Sequence, residues 1–70
     1  MMYIGIVQTK KNEDYSLKTE SFSEAWNFVN ATANELKADV SYAGVHEDVM
    51  WNDGHYMHPT REIATMRKVI

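Results

Sequence analysis

The chain has 70 residues, 44% of them hydrophobic and 24% charged, with one proline, three glycines and no cysteine. That length fits one domain spanning residues 1–70, and the lack of cysteine excludes disulfides and thiolate zinc sites. Ten carboxylates stand against seven lysines and arginines; the resulting formal charge of −3 argues against direct nucleic-acid binding, which draws its affinity from a basic surface.

A domain this small has little net stability to spare, so a metal, a partner subunit or unusually good packing is needed, and a homodimer is the expected solution. The opening MMYIGIVQTKK has no basic segment ahead of its apolar run, and the run is too short to span a bilayer. A cytoplasmic protein with no membrane association is expected.

MYIGIVQTK alternates as a strand, with Tyr3, Gly5, Val7 and Thr9 on one side and Ile4, Ile6 and Gln8 on the other. KNED, residues 11–14, is a turn, and YSLKTESF resumes a weaker alternation with Tyr15 and Leu17 on one face. Residues 2–20 therefore read as a hairpin. Ser21 followed by Glu24 matches a capping box, and Phe22, Ala25, Trp26, Val29, Ala33 and Leu36 then recur at helical spacing. This predicts an amphipathic helix to about residue 38, followed by a strand from Val40 to about Trp51. Asp53 and Gly54 signal a second hairpin. The tail after Pro59 is a short helix or an extra strand. Ile63, Met66 and Ile70 share a helical face and favour the helix, whereas a strand would put Arg67 and Lys68 on opposite faces. The order predicts an α+β fold, a small antiparallel sheet (β-β-α-β-β) with one amphipathic helix packed on it.

HEDVMWNDGHYMH, residues 46–58, gathers all three histidines of the chain. With a two-residue turn at Asp53 and Gly54, His46 and Asp48 lie too far from His55 to share an ion. With a three-residue loop at 52–54, Asp48 opposes His58 and His46 lies on the same face, so His46, Asp48 and His58 form the alternative, metal-binding prediction. Catalysis is not expected: among His46's neighbours only Asp48 falls on its face, and no nucleophile motif or glycine-rich phosphate loop accompanies it. No cofactor is expected.

Charge suggests a binding function instead. Glu24, Phe28, Glu35 and Asp39 fall on one flank of the helix, where a phenylalanine amid carboxylates has the pattern of an interface anchor with a polar rim. The alternative is that Phe28 fills a gap under the first hairpin. Glu47, Asp48 and Asp53 form a second acidic group. Glu35 and Asp39, one helical turn apart, would lie about 6 Å from one another, comparable to successive phosphates of a nucleic acid. In this layout of Glu24, Glu35, Asp39, Glu47, Asp48 and Asp53, the chain resembles the small acidic proteins with which bacteriophages disable host enzymes, DNA mimics among them. The resemblance implies a non-enzymatic inhibitor that engages a host nucleic-acid-binding protein through an acidic, DNA-like surface. The other alternative is a structural subunit of a larger assembly, held by Phe28 and the methionines.

Overall fold

The computed structural model describes residues 2–48 and 60–69. Its elements are β1 (Met2–Thr9), β2 (Asp14–Thr19), α1 (Phe22–Leu36), a 3-10 turn (Lys37–Asp39), β3 (Val40–Asp48) and β4 (Thr60–Lys68). The four strands form one antiparallel sheet in the order β2-β1-β3-β4, and α1 packs across one face of it. This is the predicted α+β arrangement, with the C-terminal segment as a strand.

The first hairpin follows its alternation. Gly5 pairs with Leu17 and Val7 with Tyr15 on the helix side, while Ile4 pairs with Lys18 and Ile6 with Ser16 on the other. Its turn is held by the buried Thr9, whose hydroxyl accepts from the amides of Lys11 and Glu13, while Asn12 takes the left-handed conformation that asparagine tolerates.

Helix α1 starts at the predicted cap, where Ser21 Oγ accepts from the Glu24 amide at 3.2 Å. Only half of the capping box forms, because the Ser21 amide donates to Thr19 Oγ1 instead. The predicted apolar stripe is the packed side: Ala25, Val29 and Ala33 are buried, with Trp26 and Leu36 against them. The helix ends at Leu36, two residues earlier than expected. Lys37 still donates its amide to the Ala33 carbonyl, the last helical hydrogen bond, but its φ 54 and ψ −120 then turn the chain off the helical path.

Gly5 sets how closely the helix approaches. A methyl group there would lie 2.9 Å from the Ala25 carbonyl and 3.1 Å from both Phe28 and Val29. The core lies between this face and the helix, and among the described residues its fully buried members are valines and alanines.

The tail is not a helix. Thr60–Lys68 pairs with β3, whose outer edge would otherwise leave a row of backbone donors and acceptors unpaired. Two register shifts in this pairing, between Ala43 and Gly44 and between Val45 and His46, interrupt the strict alternation that a sequence reader looks for. Arg67 and Lys68 lie on opposite faces, as a strand requires: Arg67 reaches back to donate to the Lys37 carbonyl at 2.8 Å, and Lys68 stands beside Tyr42 on the other side.

Candidate functional site

Two surfaces collect the polar chemistry. The first is the outer side of α1. With Ala25, Val29 and Ala33 buried, the opposite side carries exposed Glu24, Asn27, Ala31, Asn34 and Glu35. Glu24 and Glu35 are eleven residues apart, which is three turns and about 20°, so they project alike at about 16 Å separation. No lysine or arginine occurs between Phe22 and Leu36. Asp39 is exposed, but the break at Lys37 takes it off the helical row, so Glu35 and Asp39 are not one helical turn apart as the sequence suggested. Phe28, on the same flank, is half-buried and packs toward Gly5, which is the gap-filling alternative.

The other acidic candidates are placed differently. Glu47 lies on the helix side of the sheet, 3.2 Å from Arg61, and Asp48 on the other side, 3.0 Å from Lys18. Each is matched by a cation, and as neighbours on a strand they do not join in one patch. The Asp48 side chain is only 6% exposed; among the described residues its Oδ1 has no hydrogen-bond partner. Asp53 lies outside the described residues.

The second surface is the sheet face turned away from α1. Tyr42, Gly44 and His46 follow one another along it on β3, opposite Gln8, Ile6 and Ile4. Because Gly44 has no side chain, the Tyr42 ring leans along the strand: a methyl group at Gly44 would sit 2.5 Å from the Tyr42 hydroxyl. That hydroxyl donates to Glu62 Oε1 at 2.5 Å and lies 2.7 Å from His46 Nε2, and His46 Nδ1 lies 2.8 Å from Thr60 Oγ1. Since Tyr42 gives its proton to Glu62, its oxygen accepts from Nε2–H, and in the neutral imidazole Nδ1 accepts from Thr60. Burial pushes the Tyr42 phenol well above its ordinary value, and the Glu62 carboxylate adds to this. The bond from Tyr42, with a second from Thr65, holds Glu62 below the usual carboxylate range. Ile6, Gln8, Tyr42, His46, Glu62 and Lys68 line a shallow depression of about 260 Å³ here.

This network bears on the alternative metal centre. Asp48 pairs with Thr60, so the opposition of Asp48 and His58 that a three-ligand site needed does not form. Both ring nitrogens of His46 are engaged, and no group of three histidine or carboxylate side chains converges among the described residues. His58 itself lies outside them. Sequence reasoning missed the Tyr42, Glu62 and Thr60 members of the network. The alternation of YAGVH already places Tyr42 and His46 on one face across a glycine; Glu62 and Thr60 needed the tail to be a strand.

No protein-family model, curated protein or solved structure matches the chain.

Proposed function

We propose that the chain is a small non-enzymatic protein-binding module that inhibits a nucleic-acid-binding protein by seating the acidic outer face of α1 in that protein's basic groove. One observation carries the proposal: Glu24 and Glu35 stand exposed on the same side of a helix that has no lysine or arginine. The amides of Asn27 and Asn34 beside them add hydrogen-bonding groups without a competing cation. The acidic surface is narrower than the sequence suggested, because Glu47 and Asp48 are already matched by Arg61 and Lys18. Charge complementarity of this kind steers association and weakens with salt.

The test is capture from a bacterial lysate with wild-type bait and with a Glu24→Gln/Glu35→Lys double variant. Both changes leave the backbone amide that the Ser21 cap uses. Wild type should retain a DNA- or RNA-binding protein that elutes as salt rises, and the variant should not. Equal capture by both baits, or capture indifferent to salt, would refute the proposal.

A further inference from the structure

Among the described residues no element covers the sheet face opposite α1. Its β1 half is apolar: Met2, Ile4 and Ile6 point to it beside the Tyr42 and His46 of β3, although β1 is an inner strand of the sheet. The covered side has only valines and alanines as its fully buried residues, so the larger aliphatic side chains of β1 lie on the uncovered side. Contiguous apolar side chains on the open face of an inner strand favour a partner that covers them.

The charges at the margins of this face say what covers it. The cross-strand row through Gln8 and Tyr42 begins with Asp14 on β2 and ends with Lys68 on β4. The row through Ile4 and His46 begins with Lys18 and ends with Glu62. Sign alternates around the four corners. We infer that two copies of this chain pack face to face through these surfaces, about a two-fold axis parallel to the strands and midway between β1 and β3.

That axis lays β2 of one copy over β4 of the other with the rows in register. Asp14 of each copy then meets Lys68 of the other, and Lys18, which also holds Asp48 of its own chain at 3.0 Å, meets Glu62. The same operation sets Ile6 of one copy over the Tyr42 ring that leans across Gly44 of the other, aliphatic on aromatic. An axis across the strands would also match opposite charges, but it would lay β3 over β3 and stack the polar Tyr42–His46 network of one copy on that of the other. Four strands about 4.8 Å apart and eight residues long give about 450 Å² of flat face per copy before corrugation. Two such faces approach the roughly 1,000 Å² at which specific interfaces begin. The product is a two-sheet sandwich with a helix on each outer side, so Glu24 and Glu35 stay exposed and the interface is independent of the proposed inhibitory surface.

Sedimentation equilibrium on the full chain tests this. Wild type should sediment at twice the monomer mass at submillimolar concentration, and Ile6→Lys as a single chain with unchanged far-ultraviolet circular dichroism. Lys68→Glu, a margin change that disturbs no core contact, should weaken the dimer about tenfold or more, since two symmetric pairs turn repulsive. Adding Asp14→Lys should restore it. Within one chain these two residues are about 14 Å apart across the sheet, so the restoration comes from contact between copies. A monomeric wild type, a dimer indifferent to both Ile6→Lys and Lys68→Glu, or a double variant no tighter than Lys68→Glu would overturn the inference.

Discussion

Replacing Gly5 by alanine tests how the helix meets the sheet, and opposing effects make its sign informative. Gly5 lies in extended strand, where alanine is an allowed backbone residue, so without contacts the change would stabilise by about 0.4–1 kcal/mol through the unfolded chain. The new methyl, however, would lie 2.9 Å from the Ala25 carbonyl and 3.1 Å from Phe28 Cδ2 and Val29 Cγ2. Relaxed packing has carbon contacts nearer 3.5–4.0 Å, so it is short on three sides by about half an ångström. The carbonyl belongs to the helix backbone and cannot rotate away; the whole helix must shift. Overpacking of this kind costs about 1–3 kcal/mol, which outweighs the entropic gain and leaves a net loss of about 1–2 kcal/mol. For a domain of this size that is a Tm lower by about 5–15 °C. Thermal unfolding followed by circular dichroism, at one protein concentration so that association does not shift the midpoint, measures it. A Tm equal to or above wild type would mean that α1 does not rest on Gly5.

Other perturbations separate the remaining elements. Ser21→Ala removes the acceptor of the Glu24 amide and should cost about 1 kcal/mol in urea unfolding. Lys37→Gly should stabilise by about 1 kcal/mol in the same assay, because a lysine at φ 54 and ψ −120 is strained where glycine is not. Tyr42 should ionise well above the ordinary phenol value of 10.0 in a spectrophotometric titration, and Glu62→Gln or Gly44→Ala should bring it back toward that value. The folded chain keeps the Tyr42 proton beyond pH 10, where the unfolded chain loses it. Its stabilisation is therefore complete below pH 10 and declines as pH rises further. Glu62 acts at the other end: its lowered value contributes stability at neutral pH that is lost as pH falls below the ordinary value of 4.5, a loss that Glu62→Gln should abolish.

Strong local signals were readable in the sequence. The period-2 pattern of MYIGIVQTK assigned Gly5 and Val7 to one face and Ile4 and Ile6 to the other, and the helical stripe from Phe22 to Leu36 named the buried Ala25, Val29 and Ala33. What was not readable depended on contacts between distant segments. Ile63 and Met66 fit a helical period, and only the open edge of β3, with two register shifts, turns that tail into a strand. The acidic group lost Glu47 and Asp48 for the same reason, since Arg61 and Lys18 reach them from other strands. The helix end was misplaced by two residues because a positive φ at a lysine leaves no compositional trace.

Competition for a captured partner gives the sharpest test of the acidic helix face. A labelled DNA or RNA duplex bound to the partner is titrated at low salt with wild-type chain and with the Glu24→Gln/Glu35→Lys variant, followed by fluorescence anisotropy. Occupation of the basic groove by α1 predicts that wild type releases the nucleic acid and the variant does not. A complex that holds both nucleic acid and the wild-type chain at saturation would contradict it.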